Sequence, residues 1–335
     1  MHNLALFVIA AWLAATNLPA AESAAQIKVG IIGLDAHGVP WTKIIQSAKP
    51  DSPISALKVV AAYPAYSPDI PFSSTNIQKN IEIVRGLGVE IMDSVEAVVA
   101  KSDAMIVASI DGRLHMQQMK AVFAARKPVV VDKPVASSLA DVVAIYREAR
   151  RTGTPLFSSS SLRYSAGIAG MTNDPKIGKV LGCDAYSNNV SILPDHPDLF
   201  YYGIHGTEML FTIMGQGCKS VSRTHGETAD IVVGVWNDGR IGTLRGILQG
   251  RTGFGATVFG DKGVGPAGKF EGYEPLVVEI AKFFQTRKPP VAADQTLEIY
   301  AFMEAADESK RQGGRPVSVG EILKKAQREA GQRGW

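Results

Sequence analysis

A histidine and a glutamate in the second half of the chain have the residue types and the spacing of an acid–base pair. His205 and Glu208 lie three residues apart at the start of a predicted helix, so their side chains share one face of it. An imidazole there can accept a proton near neutral pH, and the carboxylate can orient or charge it. The same pattern suits an acidic residue stabilised by the helix dipole beside a partly buried histidine. Both interpretations remain open.

The loop before this helix, residues 193–202, has a composition that suits carbohydrate recognition. Asp195 and His196 could form hydrogen bonds with hydroxyl groups, and Tyr202 could pack on the apolar face of a sugar ring. An ordinary capped loop would have a similar composition.

Metal binding is the less favoured interpretation of this region. The oxygen and nitrogen donors that lie close together in sequence are Asp195, His196, Asp198, His205 and Glu208. The sequence contains neither a His-Glu-x-x-His motif nor a cysteine cluster, which are the usual signs of a zinc site. We therefore predict no metal site.

A lysine follows a strongly apolar stretch in the first half of the chain. Lys133 comes directly after the predicted strand 128–132 and precedes Pro134. Ligands bind at the carboxyl ends of the strands in an open α/β sheet, which favours a functional role for this lysine. The alternative is a surface lysine at a strand end.

The elements around Lys133 predict a doubly wound parallel sheet over residues 26–160, because strand and helix patterns alternate six times. The first unit is an apolar, β-branched strand, Ile27–Ile32, followed by the turn Gly33-x-Asp35-x-x-Gly38 and a helix. Strand, glycine turn and helix are how a dinucleotide-binding domain begins. The middle glycine of that fingerprint lets the backbone approach a pyrophosphate, and here a carboxylate replaces it.

Residues 161–320 predict a second, α+β domain on a mainly antiparallel sheet, with residues 321–335 as a C-terminal tail. Several segments alternate between apolar and polar residues, and turns such as Asn237-Asp238-Gly239 suit hairpins. Helices would cover one face of the sheet, and the open face would form a homo-oligomer. The predicted strands are 180–190, 220–224, 231–236, 241–248 and 255–259, and the helices are 202–214, 275–285 and 297–311.

The N-terminal residues predict where the protein is located, and the composition argues against some classes of binding partner. Residues 1–25 combine a short apolar run with a small-residue stretch, which indicates a signal peptide and export, most simply to the periplasm; the alternative is an uncleaved membrane anchor. The mature protein should have no membrane span. The net charge is +3 and both signs are interspersed, which argues against a nucleic-acid partner. Cys183 and Cys218 are predicted to be small buried residues, with a disulfide as the alternative.

Three motifs, which follow one another in the same order along the chain, resemble those of a known protein family. The glycine turn, Asp132-Lys133-Pro134 and Gly203-Ile204-His205 together resemble the glucose–fructose oxidoreductase / inositol dehydrogenase family (Gfo/Idh/MocA), over residues 27–320. The resemblance implies NAD or NADP in the first domain. It also implies hydride transfer to or from a carbon of a sugar, inositol or similar polyol. Lys133 would lie beside the nicotinamide, and His205 would act on the hydroxyl proton.

The resemblance also assigns further roles. Tyr201 stands where the family has a catalytic aspartate, and the second predicted strand ends in Tyr63 without the acid that usually binds the ribose. Arg163 and Tyr164, after the sixth strand, become substrate candidates, joining Asp195, His196 and Tyr202. The residues expected around the cofactor are Gly33, Asp35, His37, Gly38, Tyr63, Ser109, Asp111, His115, Asp132, Lys133 and Pro134.

Two functional hypotheses follow. The first is an exported NAD(P)-dependent oxidoreductase of a carbohydrate, with His205 as base, Lys133 as electrostatic partner and Tyr201 or Glu208 assisting. A variant of it is a lyase or hydrolase that retains its cofactor and causes no net redox change. The second hypothesis is a non-redox carbohydrate-binding protein on the same fold, which the altered phosphate turn favours.

Overall fold

The computed structural model describes residues 25–333. The predicted signal segment therefore lies outside the described residues, apart from Ala25. No helix in the described part is long and apolar enough to cross a membrane.

The first sheet has six parallel strands in the order β3-β2-β1-β4-β5-β6, with helices on both faces, which confirms the predicted doubly wound fold. The order reverses direction between β1 and β4, and ligand crevices form at such a switch point. The strands are β1 (Ile27–Ile32), β2 (Leu57–Tyr63), β3 (Glu90–Ile91), β4 (Ala104–Val107), β5 (Val129–Val131) and β6 (Leu156–Phe157). The helices among them are α1 (Gly38–Gln46), α2 (Pro71–Ser74), α3 (Ile77–Gly86), α4 (Val95–Lys101), α5 (His115–Ala125) and α6 (Leu139–Thr152).

Local sequence explains the limits of these elements. Strand β4 is buried along its whole length, as expected for a parallel strand with helices on both sides. Ser138 begins α6 by accepting a hydrogen bond from the Asp141 N–H, and Gly153 ends the helix in the left-handed conformation.

The second sheet has seven strands in the order β12-β11-β7-β10-β9-β8-β13, and every pair except β7–β10 is antiparallel. This confirms the predicted mainly antiparallel sheet, although β12 and β13 were not predicted. The strands are β7 (Val180–Asn188), β8 (Cys218–His225), β9 (Ala229–Trp236), β10 (Ile241–Ile247), β11 (Gly255–Gly260), β12 (Val264–Ala267) and β13 (Val317–Ser318). The remaining helices are α7 (Ala166–Ala169), α8 (Gly203–Met214), α9 (Glu274–Thr286), α10 (Ala293–Arg311) and α11 (Val319–Gly331).

The two faces of this sheet differ. Helices α8 and α10 pack on one face. Exposed apolar side chains elsewhere on the sheet include Leu181, Tyr186, Ile241 and Phe259. Cys183 and Cys218 are both buried and free, so the predicted small buried residues are confirmed and the alternative disulfide is absent.

Helices α9 and α11, near the C-terminal end of the chain, pack differently from what the predicted domain limits imply. Helix α9, assigned by sequence to the second domain, packs into the core beneath the first sheet, where the Phe283 ring meets Phe157 edge-on at 4.9 Å. The segment predicted as a C-terminal tail forms most of α11, which packs against α6. Ala326 and Ala330 are buried and lie four residues apart, and their small side chains allow this close approach.

Candidate active site

A cavity of about 280 Å³ lies between the two domains, at the carboxyl ends of β1, β4 and β5. Its polar lining includes His37, Asp132, Lys133 and His205, which come from the glycine turn, the end of β5 and the first turn of α8. The structure thus brings together the lysine and the histidine that the sequence singled out. Six aromatic rings complete the walls: Phe72, Tyr201, Tyr202, Phe254, Phe270 and Tyr273.

Lys133 places a buried positive charge on the cavity wall. Its Nζ lies 3.4 Å from the carbonyl oxygen of Tyr201, and 4.6 Å and 5.3 Å from the ring centroids of Tyr201 and Tyr202. Burial lowers the pKa of this ammonium to about 8, partly offset by the charge of Asp132. Lys133 is therefore cationic at neutral pH, and the two tyrosine rings lie within cation–π distance of its ammonium.

His205 has the environment of a proton acceptor. Burial, together with the charges of Lys133 and His37, holds the imidazole pKa well below its usual value, so the ring is neutral at pH 7. Its Nδ1 lies 2.7 Å from the hydroxyl oxygen of Ser160. The tautomer in which Nδ1 donates to Ser160 leaves Nε2 free to accept a proton.

Asp132 and His37 form a hydrogen-bonded pair beside Lys133. The His37 Nδ1 lies 2.5 Å from one carboxylate oxygen of Asp132, and the other oxygen accepts a hydrogen bond from the Lys133 N–H at 2.7 Å. The imidazole stacks on Trp41 with a centroid separation of 5.2 Å. These contacts fix both side chains beside Lys133.

The predicted partnership of Glu208 with His205 is wrong. Glu208 is buried, and its Oε2 accepts a hydrogen bond from the Arg163 Nε–H at 2.7 Å and forms an ion pair with the Arg163 Nη2 at 2.6 Å. Neither residue lines the cavity, and nor does Tyr164, which packs on the core below the first sheet. An arginine fork matches a carboxylate better than an imidazole does, so Glu208 turns towards Arg163. These three residues, predicted as catalytic or substrate groups, instead support the wall formed by Ser161 and Leu162.

The loop 193–202 divides into two parts. Tyr201 and Tyr202 line the cavity as predicted, and burial raises the Tyr201 pKa, so its hydroxyl is a donor and not a base. Asp195 and His196 do not reach the cavity. Asp195 is exposed and approaches Arg113 at 3.5 Å, and His196 bonds the carbonyl of Pro194 at 2.7 Å.

The glycine turn is tight, as the fingerprint predicts. Gly33 has φ +95°, and a Cβ atom there would lie 2.3 Å from the backbone nitrogen of Ser109. A Cβ at Gly38 would lie 2.1 Å from the Gly33 carbonyl oxygen. The N–H of Gly33 donates to the carbonyl of Tyr63, which joins the turn to the end of β2.

Asp35 is directed inwards from this turn. It is 5 % exposed, and its carboxylate accepts hydrogen bonds from the Ser73 hydroxyl at 2.5 Å and the Ile110 N–H at 3.2 Å. Burial raises its pKa to about 6.

Residues 64–76, which we call the covering segment, lie over the turn. Ser67 donates to the Asp111 carboxylate at 2.5 Å, and Ile70 is fully enclosed by a small cluster that includes Ile110, Leu193 and Tyr201. The covering segment therefore separates the turn from solvent.

Other predicted cofactor residues are satisfied inside the protein. The His115 ring lies between the carbonyls of Val135 and Ser109, and the Ser109 hydroxyl pairs with Gln118. Both His115 and Ser109 are fully buried, as is Asp111. They hold the end of β4 in place and present no free polar atom to the cavity.

The dinucleotide implied by the resemblance fits one end of this region. Lys133, Asp132 and His205 face the cavity where the nicotinamide and substrate would lie. A second cavity of about 380 Å³ borders Tyr63 and Tyr66, on the other side of the covering segment. The fingerprint would place the pyrophosphate at the turn 33–38, where the Asp35 carboxylate accepts a hydrogen bond from Ser73 of the covering segment. A carboxylate at that turn does not fit a pyrophosphate.

In the described part of the chain, no three His, Cys, Asp or Glu side chains converge on a point where a metal ion could bind. Asp198 and Glu208, two of the five potential ligands in the sequence, pair with arginines.

Sequence reasoning missed Ser160, Phe254, Phe270 and Tyr273. The last three are aromatic residues in glycine-rich stretches, 253–255 and 268–273, and an aromatic ring between flexible glycines was an available signal.

Comparisons with known proteins agree with this architecture. Residues 27–160 match the Gfo/Idh/MocA model, described as an oxidoreductase family with an NAD-binding Rossmann fold. A comparison with curated protein sequences gives no match.

Solved structures share the fold along nearly their whole length. Scyllo-inositol dehydrogenase from Lactobacillus casei, with bound NAD(H) and scyllo-inositol, is 15% identical with a TM-score of 0.71; the match covers 88% of this chain and 99% of that one. Myo-inositol dehydrogenase from the same organism, in complex with NAD(H) and myo-inositol, is 15% identical with a TM-score of 0.69; the match covers 88% of this chain and 96% of that one. A probable dehydrogenase from Thermotoga maritima is 19% identical with a TM-score of 0.71; the match covers 88% of this chain and 100% of that one. Residues 27–160 are therefore similar to the Gfo/Idh/MocA oxidoreductase family, and the whole chain has the two-domain fold of the inositol dehydrogenases.

Proposed function

We propose that this protein is an oxidoreductase that acts on a hydroxyl-bearing carbon of a polyol or sugar, with NAD or NADP as the hydride partner. The observation that carries the proposal is the neutral imidazole of His205 and the ammonium of Lys133 on the wall of one enclosed cavity. The family of the first domain and the NAD(H)-bound inositol dehydrogenases of the same fold support it.

His205 and Lys133 have different roles in the proposed reaction. The free Nε2 of His205 accepts the hydroxyl proton as the alcohol is oxidised, and returns it in the reverse direction. The Lys133 ammonium on the same cavity wall would stabilise the developing alkoxide. The Tyr201 carbonyl and ring hold that ammonium in place. When bound, the dinucleotide supplies the hydride acceptor.

The walls favour a polyol or sugar of moderate size. Tyr202, Phe254 and Tyr273 offer flat apolar surfaces for the C–H faces of a ring. The polar side chains of the lining include Lys133, Asp132 and His37, which would bind hydroxyls. The cavity of about 280 Å³ has the size of small-molecule sites in proteins.

Location and assembly are also proposed. The apolar run and small-residue stretch of residues 1–25 support export to the periplasm, which cell fractionation would test. Exposed apolar side chains on the second sheet, including Leu181 and Ile241, support a homo-oligomer. Light scattering on the purified protein would measure its mass.

The first experiment concerns the cofactor. The purified protein is denatured, and the released small molecules are examined for NAD(H) and NADP(H) by mass spectrometry. The refilled or titrated protein is then assayed at 340 nm against a panel of inositols, hexoses and sugar acids. Absence of both a retained and a titratable dinucleotide would reject the proposal.

The second experiment concerns the two residues. His205→Ala and Lys133→Ala should each lower turnover by about 100-fold or more, the usual effect of removing a proton-transfer or charge-stabilising group. His225→Asn and Lys120→Ala change an exposed histidine and an exposed lysine, and they should retain wild-type turnover. Losses below about tenfold in the first pair would reject the assignment.

A second candidate function is favoured by one observation, the covered phosphate turn. A chain that keeps this turn closed would bind a carbohydrate in the same cavity without redox chemistry. Calorimetric binding of a polyol by a protein that takes up no dinucleotide would establish this alternative. Retained cofactor together with hydrolysis or elimination of the sugar would establish the retained-cofactor variant.

A further inference from the structure

The covering segment takes the place that a pyrophosphate would need, and it does so through polar contacts. The Ser73 hydroxyl donates to Asp35 and also accepts the Ser67 N–H at 2.8 Å. Ser67 in turn donates to Asp111 on the neighbouring strand end. Two hydroxyls of one segment thus satisfy two carboxylates on the glycine turn and on the end of β4.

Apolar contacts add to this closure. Ile70 is 1 % exposed and packs in a cluster with Ile110 of the first domain and Leu193 and Tyr201 of the second. The covering segment therefore contacts the glycine turn through Ser73 and the loop 193–202 of the second domain through Ile70.

Arg113 also connects the covering segment to both domains. Its guanidinium donates to Asp111 at 2.8–3.0 Å, to Asp69 of the covering segment at 2.7 Å, and approaches Asp195 of the second domain at 3.5 Å. One cation thus bridges the end of β4, the covering segment and the second domain.

Asp35 is the residue on which the closure depends. Where the dinucleotide fingerprint has a glycine, this carboxylate is turned into the protein, and the Ser73 hydroxyl is one of its two hydrogen-bond donors. If the segment left, a solvated or phosphate-facing carboxylate would remain at the turn, and it would repel a pyrophosphate.

We propose that Asp35 and Ser73 are specificity-determining residues that hold the covering segment across the phosphate position, so that a dinucleotide binds only after this segment has left the turn. The inference rests on the proposed function, because it concerns access of that cofactor to the same site. The closed form takes ligands no larger than the cavity beside Lys133. The open form admits the full dinucleotide, with an affinity that the charge of Asp35 lowers.

The test uses four variants of the full chain freed of bound nucleotide. Asp35→Gly restores the fingerprint glycine and removes the bond to Ser73. Asp35→Asn removes the charge and keeps a side chain that can pair with both Ser73 and Ile110. Ser73→Ala removes the hydroxyl, and Ser74→Ala is the matched control, since Ser74 bonds only the Ile70 carbonyl of its own turn.

Affinity for NADH and NADPH is measured by fluorescence titration, and hydrogen–deuterium exchange reports on residues 67–74. Asp35→Gly should lower the dissociation constant by about tenfold or more, and Ser73→Ala by several-fold. Asp35→Asn should give a smaller gain, and Ser74→Ala none. Exchange of residues 67–74 should rise in Asp35→Gly and on addition of NADH to the wild type.

The possible results separate the two proposals. Tight NADH binding by the wild type with unchanged protection of residues 67–74 overturns this inference and leaves the proposed function standing. Equal gains in Asp35→Gly and Asp35→Asn also overturn it, because charge alone would then explain the effect. Failure of every variant to bind either dinucleotide, with circular dichroism unchanged, overturns both.

Discussion

Replacing Asp35 by asparagine should change how the stability of the protein depends on pH. The carboxylate is 5 % exposed and has two hydrogen-bond donors, Ser73 and Ile110. Burial raises its pKa from 3.8 to about 6, and the hydrogen bonds only partly oppose this rise. The folded protein therefore binds a proton at this site more tightly than the unfolded chain does.

The magnitude follows from linkage. A group whose pKa is higher in the folded state contributes stability below its unfolded pKa, and this stability is lost as the pH rises through the folded pKa. For Asp35 the window runs from pH 3.8 to about 6. One pKa unit is worth about 1.4 kcal/mol, so the wild type should lose about 3 kcal/mol across this window. Asp35→Asn cannot ionise, and its stability should not show this loss.

The assay is urea unfolding of the wild type and Asp35→Asn at several pH values from 4 to 8. Effects of all other titrating groups cancel in the difference between the two proteins. The difference should shift by about 2–3 kcal/mol in favour of Asp35→Asn between pH 4 and pH 7, and then remain constant. Asp51→Asn, at an exposed position, should follow the wild-type curve. Parallel curves for the wild type and Asp35→Asn would refute the burial of a costly carboxylate at the turn.

Three further predictions concern the cavity and its support. Because burial lowers the Lys133 pKa to about 8, turnover that needs its ammonium should decline above about pH 8, and a rate profile flat to pH 10 would contradict this. Arg163→Met leaves the Glu208 carboxylate buried and unpaired, so urea unfolding should show a loss of about 3–5 kcal/mol, largely recovered in Arg163→Met/Glu208→Met. Tyr202→Ala should weaken calorimetric binding of the preferred polyol by about tenfold, whereas Tyr202→Phe should retain it; equal losses in both would exclude ring packing.

The first sheet could be predicted because its signals are local. Strand β1 is apolar and β-branched along its length, and the glycines at 33 and 38 are required by the close contacts of the turn. Since the carboxyl ends of parallel strands meet at one edge, the position of Lys133 followed from its place in the chain. Its meeting with His205 followed only from the resemblance, because the two residues belong to different domains.

The errors concern interactions between distant segments. The i, i+3 spacing of His205 and Glu208 suggested a pair, yet Arg163 binds the glutamate, because a guanidinium neutralises a buried carboxylate that would otherwise be unpaired. Helix α11 has buried alanines four residues apart, but their partner, α6, lies far away in sequence. The role of the covering segment depends on two carboxylates elsewhere in the chain, Asp35 and Asp111, so its own residues do not indicate that role.

Asp35 and the covering segment are better understood as one feature than as two. A buried carboxylate is costly unless hydrogen-bond donors compensate it, and the covering segment supplies one of the two donors that Asp35 has. The segment, in turn, carries buried serines whose hydroxyls need acceptors, and Asp35 and Asp111 are those acceptors. Removing the segment takes one hydrogen-bond donor from each carboxylate, and removing a carboxylate leaves a buried serine hydroxyl without its acceptor. The change from glycine to aspartate and the closed turn therefore stabilise each other, while the groups that move a proton, His205 and Lys133, remain directed at the cavity.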